Sequence, residues 1–442
     1  MNVLHVPYTY FPNPCGGTEV YVRGLAQRLF AIGCEGAVAA PDAKCAVYEH
    51  DGLLVHRFAT DLRPRLDLAY GVPDEIAAEG FKTIIAQAQP NIVHLHARTA
   101  AVSERLIDVA HAAGAQVVFT YHTPTVSCAR GTMMLFGGTP CDGIVDTKRC
   151  TACALAALGI PKALAQAAAM IQSTLCTRSA AFAGPQKALP ALRIPGLIAS
   201  GRQRFLDFIS KVDHVVAVSQ WVSDVLRCNA VPVGKITLCR QGIGAPAHVP
   251  RPTVVPKQAG PLKIGYFGRM DHTKGPDLLA RALKMIPKTL VQVDLFAIRQ
   301  AAEPDQVYDW LAAQAQQDPR LILRPAIAPD AVTRIMANYE LIAVPSRLLE
   351  TGPLVALEAF AAGVPVLGAN LGGIAELVRD GVDGILVAPD DAAAWAATIS
   401  RLADDRYVID ALRARVAPPR TMDAAADDMA ALYARILPSL AP

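Results

Sequence analysis

Short apolar runs alternate with longer amphipathic segments through most of the chain. The first run covers Asn2–Val6, and a segment with helical spacing from Val20 to Ile32 follows it. Short apolar runs bounded by turn residues are typical of buried strands, and the longer segments are typical of helices. Further strands and helices are predicted at Gly36–Ala40, Leu53–Phe58, Phe81–Gln89, Ile92–Leu95, Ala101–Ala113 and Gln116–Thr120. This alternation predicts an α/β fold with a mostly parallel sheet.

The same alternation starts again after a proline-rich stretch. Residues 248–261 contain four prolines, which predicts a stiff connector between domains. A chain of 442 residues is also too long for one ordinary hydrophobic core. We therefore predict an N-terminal domain over residues 1–247, a second domain over 262–420, and a C-terminal helix within 421–442.

The composition narrows the class of protein. Hydrophobic residues make up 52% of the chain and charged residues 18%, which is typical of a globular protein on the apolar side of average. A net charge of +3 is too small to indicate a nucleic-acid partner. The start lacks the features of a signal peptide, and prolines or glycines interrupt every apolar run of transmembrane length. We therefore expect a cytoplasmic protein.

One stretch in the second half combines a loop, a helix start and two glutamates. A buried strand over Tyr339–Val344 runs into a loop, and Pro353 stands where a helix can begin. Glu350 precedes that helix, and Glu358 lies about one turn inside it. A helix N-terminus is a seat for phosphate, and nearby acids suggest a ligand that also carries hydroxyls, such as a nucleotide sugar. Alone, the spacing also fits two solvated surface glutamates.

Two strand–helix loops carry further candidate residues. Gly16 and Gly17 follow the first strand, where glycine lets the backbone approach a ligand closely. Their spacing is not that of a dinucleotide fingerprint, which disfavours a nicotinamide enzyme. Arg269 and Lys274 lie in a glycine-bounded loop of the second half, where two cations could clamp a diphosphate without a metal ion. Taken alone, either loop also fits an ordinary surface turn.

Histidines stand at the ends of two predicted strands. His94 and His96 flank the end of one strand, and His122 follows the next. Ligands bind at the carboxyl ends of parallel strands, although a histidine there is often only a polar strand end. A His-x-His pair can also bind metal, but no carboxylate follows at ligand spacing.

Together these motifs resemble the retaining glycosyltransferases of family 4, whose GT-B architecture has two Rossmann-like domains facing across a cleft. The matches are Gly16-Gly17-Thr18-Glu19, the Tyr121-His122-Thr123-Pro124 segment, Arg269 with Lys274, and Glu350 with Glu358. They fall in the order of the family and cover nearly the whole chain. The resemblance implies transfer of a sugar from a nucleotide diphosphate sugar to an acceptor, with the anomeric configuration retained. It also implies that the C-terminal helix packs back across the linker.

The resemblance also assigns roles to residues of this sequence. It implies catalytic roles for His122, Arg269, Lys274 and Glu350, and donor binding by Gly16, Gly17, Glu19, Gly352, Pro353, Leu354, Val355 and Glu358. Glu350 would contact hydroxyls of the donor sugar, and Glu358 would hold the ribose diol. Arg269 and Lys274 would stabilise the charge that grows on the leaving nucleotide, so the chemistry would need no cofactor. His96 would be a secondary contact.

Four cysteines form a candidate metal site after the histidine segment. Cys150 and Cys153 make a Cys-x-x-Cys pair, which can chelate one tetrahedral metal, and Cys128 and Cys141 precede them. Without an export signal, such cysteines are better interpreted as thiols or metal ligands than as disulfides. A structural zinc ion would suit four thiolates, ahead of an iron–sulfur cluster, and the alternative is four unlinked thiols. A subset of the family resembles this sequence in carrying a cysteine-rich insert here.

The rest of that insert, about residues 128–206, is basic and apolar. No acidic residue lies between Asp146 and Asp207, whereas several lysines and arginines do, and apolar helical segments lie among them. The apolar segments are Ala154–Leu158, Ala163–Leu175 and Ala188–Ile198. This pattern suits a surface that faces acidic lipid headgroups, and it equally suits a helical hairpin packed on the domain. A peripheral position on the membrane would agree with a glycan or lipid-linked acceptor, such as a polysaccharide precursor.

Two other functions remain open at this point. A sugar-nucleotide epimerase of the same architecture would release free nucleotide and a changed sugar without an acceptor. A non-catalytic membrane or carbohydrate adaptor would keep the fold but would bind no nucleotide.

Overall fold

The computed structural model describes residues 1–13, 16–61, 72–171, 190–244, 260–298 and 306–437. The chain divides into two compact units. Unit 1 comprises Met1–Arg240 with Ala425–Pro442, and unit 2 comprises Gln241–Ala424. The predicted class, α/β with two Rossmann-like domains, is confirmed by the sheet of each unit. Most of the predicted connector, residues 245–259, lies outside the described residues.

Unit 1 is built on an eight-stranded sheet. Its strands are β1 (Asn2–Val6), β2 (Glu35–Asp42), β3 (Ala46–His50), β4 (Leu53–Ala59), β5 (Ile92–Leu95), β6 (Gln116–Tyr121), β9 (His214–Ala217) and β10 (Ile236–Leu238). The order across the sheet is β10-β9-β6-β5-β1-β2-β4-β3. Neighbours pair in parallel except β3 and β4. The remaining strands of this unit, β7 (Met134–Leu135) and β8 (Thr139–Pro140), form a separate hairpin.

The helices of unit 1 connect these parallel strands. They are α1 (Gly17–Ala31), α2 (Glu75–Ala88), α3 (Glu104–Ala112), α4 (Thr147–Ala157), α5 (Lys162–Ile171), α6 (Pro190–Lys211) and α7 (Gln220–Cys228). Helix α2 begins earlier than predicted because the Asp74 carboxylate caps it by accepting hydrogen bonds from the N–H groups of Ile76 and Ala77. Helix α6 continues to Lys211 past the predicted end at Ile198, with Pro195 inside it.

The insert helices form a small core of their own. Ala154 and Leu155 of α4 pack with Ala165 of α5 and with Ile194 and Ile198 of α6. The carboxyl-terminal half of α6 packs instead into the main core of unit 1, which contains Phe205, Phe208 and Ile209. The described helices of the insert therefore form a packed layer, and residues 172–189 of the insert lie outside the described residues.

Unit 2 has a six-stranded parallel sheet. Its strands are β11 (Leu262–Arg269), β12 (Val291–Ile298), β13 (Leu321–Arg324), β14 (Leu341–Val344), β15 (Val366–Ala369) and β16 (Gly384–Val387), in the order β13-β12-β11-β14-β15-β16. The helices are α8 (Pro276–Met285), α9 (Gln306–Gln317), α10 (Val332–Met336), α11 (Leu354–Ala361), α12 (Gly372–Leu377), α13 (Ala392–Asp404) and α14 (Arg406–Arg415). Trp395 of α13 is fully buried in this unit.

The last helix, α15 (Met422–Ile436), brings the chain back to unit 1. Its Tyr433 hydroxyl lies 2.6 Å from Nδ1 of His94, and both side chains are fully buried. A buried polar contact of this kind fixes the position of the helix on the sheet, because either group alone would be left unsatisfied. Among the described residues, no helix combines the length and the apolar character needed to cross a membrane.

Candidate functional site

Arg347 joins two loops of unit 2 at the carboxyl ends of β11 and β14. Its guanidinium donates to both carboxylate oxygens of Asp277, at 2.6 and 3.0 Å, and its Nε lies 2.5 Å from Oδ1 of Asp390. Arg347 also donates to the carbonyl oxygen of His272, and its backbone N–H donates to that of Thr273. Because Arg347 and Asp277 are both buried, this bidentate pair sets the position of the loop after β14 against the loop after β11.

A glycine allows these two loops to approach closely. Gly275 has a φ of +73°, and a Cβ placed on it would lie 2.1 Å from the carbonyl oxygen of Pro345. Any other residue would therefore be strained and would push the loops apart. The Asp271 carboxylate orders the same turn by accepting hydrogen bonds from the N–H groups of Thr273 and Lys274.

Lys274 and Glu350 meet in the space that these loops enclose. Nζ of Lys274 lies 2.6 Å from Oε1 of Glu350, and the Ser346 hydroxyl donates to the same oxygen at 2.7 Å. The carbonyl oxygen of Glu350 accepts the N–H of Gly373 at 2.6 Å. A Cβ on Gly373 would lie 2.6 Å from that oxygen, so the glycine lets the loop rest directly on the start of α12. Hydrogen bonds to both the side chain and the backbone of Glu350 therefore fix its position.

Arg269 lies on the other side of the same turn. It ends β11, and its Nε lies 3.2 Å from Oδ2 of Asp271, with both side chains about one-third exposed. The Tyr266 hydroxyl donates to the carbonyl oxygen of Arg269 at 2.5 Å. The two predicted cations, Arg269 and Lys274, thus lie in one loop, and each is paired with a carboxylate of unit 2.

Helix α11 begins beside Glu350, as the sequence predicted. Pro353 is its N-cap residue, and Leu354 and Val355 form its half-buried first turn, where the N–H groups have no partner within the helix. A Cβ on Gly352 would lie 2.4 Å from Oε1 of Gln241, so glycine here admits the buried Gln241 side chain.

Glu358 faces a different environment from Glu350. It is half-buried, and burial raises its pKa to about 7. No hydrogen bond or ion pair of its carboxylate is found within the described part of the chain. A carboxylate in this state can accept hydrogen bonds from a ligand that carries hydroxyl groups.

In unit 1, the glycine loop is tied down by Glu19. Helix α1 begins at Gly17, ahead of the predicted start. The buried Glu19 carboxylate accepts a hydrogen bond from the Gly16 N–H at 2.9 Å and another from the Thr9 hydroxyl at 3.1 Å. Glu19 thus acts on the loop in this structure, and its predicted contact with the donor stays a prediction.

His122 lies at the carboxyl end of β6, where the sequence placed it. It is buried, its Nε2 lies 3.1 Å from Nδ1 of His96, and burial lowers its pKa to about 3. The ring of Tyr21 from α1 packs against it, with centroids 5.1 Å apart. His122 is therefore a neutral imidazole held in a fixed orientation.

Three of the four predicted cysteine ligands are neighbours. Burial, with smaller contributions from the nearby Cys128 and Cys141 thiols, raises the pKa of Cys150 to about 11. The Sγ of Cys153 instead accepts the N–H of Phe136 at 3.2 Å. In the described part of the chain no three of these sulfur atoms lie within 4.8 Å of one another. As the thiols stand, they are not gathered into a tetrahedral set, and the structural zinc ion stays a prediction.

The sequence did not identify two residues on which these arrangements depend. Arg347 lies within the glutamate stretch, but an arginine in a loop is usually on the surface. A buried partner for Arg347 could have been suspected from Asp277, an acidic residue at the start of the helix that follows the loop of Arg269 and Lys274. His5 is the second, since its Nδ1 lies 3.1 Å from Nε2 of His96. A polar side chain inside an otherwise apolar strand could have indicated it.

We expect Arg347→Lys to destabilise unit 2 by about 2–4 kcal/mol, because lysine cannot form the bidentate contact and leaves the buried Asp277 carboxylate poorly compensated. Urea unfolding followed by circular dichroism measures the change. The matched control is Arg281→Lys, since Arg281 also contacts Asp277 but is 55% exposed, and we expect a loss below about 1 kcal/mol. Equal losses in the two variants would show that Arg347 is not the joint between the loops.

Two family models match the chain, one in each unit. The model described as Glycosyltransferase Family 4 matches residues 15–163, and that described as Glycosyl transferases group 1 matches residues 261–405. A D-inositol 3-phosphate glycosyltransferase of Nocardia farcinica is 31% identical over 215 residues, which cover 45% of this chain and 46% of that protein. One of Xylanimonas cellulosilytica is 34% identical over 154 residues, covering 35% and 36%. The chain spans about half the length of the curated relatives it matches.

Solved structures resemble the chain over nearly its full length. HepE of Anabaena, solved with UDP and glucose, has a TM-score of 0.64 at 16% identity and covers 99% of this chain and 100% of its own. Sucrose-phosphate synthase of Thermosynechococcus elongatus has a TM-score of 0.67 at 20% identity and covers 99% of both chains. At such identities the likeness shows the fold. The chain therefore carries two glycosyltransferase domains, one that matches the family 4 model in unit 1 and one that matches the group 1 model in unit 2.

Proposed function

We propose that the protein transfers a sugar from a nucleotide diphosphate sugar to an acceptor hydroxyl, with retention of the anomeric configuration. One observation carries the proposal: Lys274 and Glu350 are paired at 2.6 Å beside the N-terminus of α11, and the half-buried Glu358 lies about one turn further along that helix. Cations, free helix N–H groups and carboxylates together match a ligand that carries both phosphates and hydroxyls.

In the proposed complex, the donor diphosphate binds at Arg269, Lys274 and the first turn of α11. Both cations are neutralised by carboxylates in the structure, and a diphosphate would offer them stronger, doubly charged partners. As the bond between the sugar and the diphosphate breaks, negative charge grows on the leaving oxygen. The two cations stabilise that charge from fixed positions. The acceptor oxygen attacks from the leaving-group face and its proton passes to the leaving phosphate, which accounts for retention.

The carboxylates orient the donor in this proposal. Glu350 accepts hydrogen bonds from hydroxyls of the donated sugar, and Glu358 accepts those of the ribose diol. HepE was solved with UDP and with UDP-glucose, so UDP-sugars are the first donors to test. His122 supplies a neutral imidazole as a contact to the donated sugar from unit 1.

The reaction is tested by incubating the protein with UDP-sugars, with and without glycan and polyol acceptors. Release of UDP that requires an acceptor and gives a product with the donor's anomeric configuration supports the proposal. A changed sugar and free nucleotide without any acceptor would identify an epimerase instead. Absence of nucleotide binding in calorimetry with UDP, GDP and ADP would identify a non-catalytic adaptor.

We further propose a lipid-linked acceptor that the protein reaches at a membrane surface. Leu158 just after α4, and Leu164 and Met170 on α5, are 60%, 63% and 62% exposed, although the other faces of these helices are packed. Lys148, Arg149 and Lys162 lie on the same two helices, and the sequence has no acidic residue between Asp146 and Asp207. Exposed apolar side chains on helices that also carry lysine and arginine fit the interface of an anionic leaflet.

Glu350→Gln should lower kcat by about 10²–10³-fold, because the amide loses the charge that orients Lys274 and the sugar hydroxyls. The measurement is donor turnover at saturating donor, with circular dichroism to verify folding. Glu340→Gln is the matched control, since Glu340 also forms an ion pair in unit 2, with Arg406, and lies outside the proposed site. A Glu350→Gln variant that turns over like wild type would refute the role assigned to Glu350.

Glu358→Gln should stabilise the protein at alkaline pH while weakening nucleotide binding. The folded-state pKa of Glu358 is raised from 4.5 to about 7, so folded protein holds a proton there that the unfolded chain has lost, and stability falls as pH rises between these values. The variant escapes this loss. We expect it to exceed wild type by about 1–3 kcal/mol at about pH 8.5 and to match it near the lower end of that range.

The same variant should bind UDP about tenfold more weakly, since one oxygen acceptor for the ribose is replaced by a donor. Urea unfolding at the two pH values and calorimetry with UDP give both results. Glu79→Gln, a 78% exposed carboxylate of unit 1, should change neither. Unchanged stability at alkaline pH together with unchanged UDP affinity would remove Glu358 from the site.

Leu164→Glu should weaken binding to vesicles made of equal parts phosphatidylglycerol and phosphatidylcholine by about tenfold, because it replaces an inserted apolar side chain with a repelled charge. Vesicle flotation measures the bound fraction. Leu290→Glu is the matched control, because Leu290 is 73% exposed on unit 2. Equal binding of wild type and both variants would place the membrane contact elsewhere or exclude it.

A further inference from the structure

Four histidines form a buried cluster in unit 1. His5 lies on β1, His94 on β5, and His96 and His122 just beyond β5 and β6, and their exposed fractions are 2%, 0%, 2% and 5%. Because strands β1, β5 and β6 are parallel neighbours in register, these side chains come together at one edge of the sheet. Of these four, only His122 has a part in the proposed function above.

Three of the histidines are joined in a chain of hydrogen bonds. Nδ1 of His5 lies 3.1 Å from Nε2 of His96, and Nδ1 of His96 lies 3.1 Å from Nε2 of His122. His96 therefore uses both of its ring nitrogens within the chain. His122 takes part in these hydrogen bonds through Nε2, and its Nδ1 lies on the opposite edge of the ring.

Burial keeps all three rings neutral at physiological pH. It lowers the pKa of His5 and of His122 to about 3 and that of His96 well below its usual value. A neutral imidazole has one nitrogen that donates and one that accepts. Each hydrogen bond between two rings needs one donor and one acceptor. The nitrogen that carries the proton in one ring therefore determines which nitrogen carries it in the next.

Only two proton arrangements satisfy both hydrogen bonds. In one, all three rings carry the proton on Nδ1, and each donates in the direction of His122. In the other, all three carry it on Nε2, and each donates in the direction of His5. A mixed arrangement would leave two N–H groups facing each other, or two lone pairs, inside the core.

We propose that His5 and His96 are positioning residues that fix the tautomer and the orientation of His122 through this relay. The proposal rests on the proposed function, in which His122 contacts the donated sugar. The relay ties the tautomer of His122 to those of His96 and His5, because all three rings must carry their protons on the same nitrogen. His5, which lies two rings away in the interior of the sheet, thereby contributes to the specificity of the site.

A bound metal ion is the competing explanation of the cluster. His5, His94 and His96 each offer one nitrogen, and these atoms lie within 4.8 Å of one another. However, His94 already places Nδ1 at 2.6 Å from the Tyr433 hydroxyl and Nε2 at 2.6 Å from the Thr120 hydroxyl. A metal ion would break one of these contacts and at least one bond of the relay, so hydrogen bonding accounts for the cluster more fully.

The relay is tested by nitrogen-15 NMR of the full chain labelled at histidine, with resonances assigned by single substitutions. We expect the three relay histidines to share one tautomer in wild type. We expect His96→Phe, which keeps a ring beside His94 but has no ring nitrogen, to release His122 into a mixture of tautomers. Different tautomers at His96 and His122 in wild type, or an unchanged His122 in the variant, would overturn the proposal.

The kinetic arm separates positioning from packing. His96→Phe should lower kcat by about tenfold or more with little change in KM for the donor, because a misoriented contact is lost in the transition state. His96→Gln, which can both donate and accept, should recover part of the loss and also serves if the phenylalanine variant does not fold. His56→Phe is the control, since His56 is buried in the same unit and takes no part in the relay.

A metal arm completes the test. The zinc content of dialysed wild type and of His5→Phe is measured. Stoichiometric zinc in wild type that is absent from the variant would show that the cluster is a metal site and would overturn the relay. If wild type shows no sugar transfer with any donor, the proposed function fails, whereas the tautomers read by NMR still decide the relay.

Discussion

The pairing of Arg347 with Asp277 is the constraint on which the candidate site of unit 2 depends. Both side chains are about 7% exposed, and the guanidinium makes two parallel hydrogen bonds to the carboxylate. Because an uncompensated buried charge is costly, the two loops are held together or the site does not form. Gly275 allows the two backbones to come close enough for that pair to close, and Gly373 lets the Glu350 loop rest on the start of α12. Lys274 and Glu350, which come from different loops, meet as a consequence.

The two acids of the glutamate stretch illustrate how position decides function. Glu350 sits in a loop with a lysine and a serine on one oxygen, so it is held in place before any ligand arrives. Glu358 sits on a helix without such partners among the described residues, and its burial is unfavourable for the charged form. In unit 2 the Glu350 carboxylate is therefore preorganised, whereas the Glu358 carboxylate would gain its hydrogen bonds from a ligand. The burial of Glu358 lowers stability, as is typical of residues in binding sites.

The sequence predicted the alternating strands and helices well because strand length and apolar periodicity are local properties. Strand β5 has the predicted bounds, β14 ends at the predicted Val344, and α15 lies within the predicted 421–442. The start of α11 after Pro353 follows from helix-start chemistry. Strand β3 escaped prediction because it is a short, largely exposed edge strand without an apolar pattern. The partners of Arg347 and His5 escaped it for a different reason. Arg347 and Asp277 are 70 positions apart, and no local pattern shows which distant residues a fold brings together.

The most direct test of the central claim is hydrogen–deuterium exchange of the whole protein with and without saturating UDP. The claim is that residues 269–275 and 350–358 together form the seat of a nucleotide diphosphate in unit 2. We expect slower amide exchange in peptides that cover both segments, because the phosphates would engage the helix N–H groups and order the loop. Binding of UDP that leaves both segments unchanged and protects a different part of the chain would contradict the account.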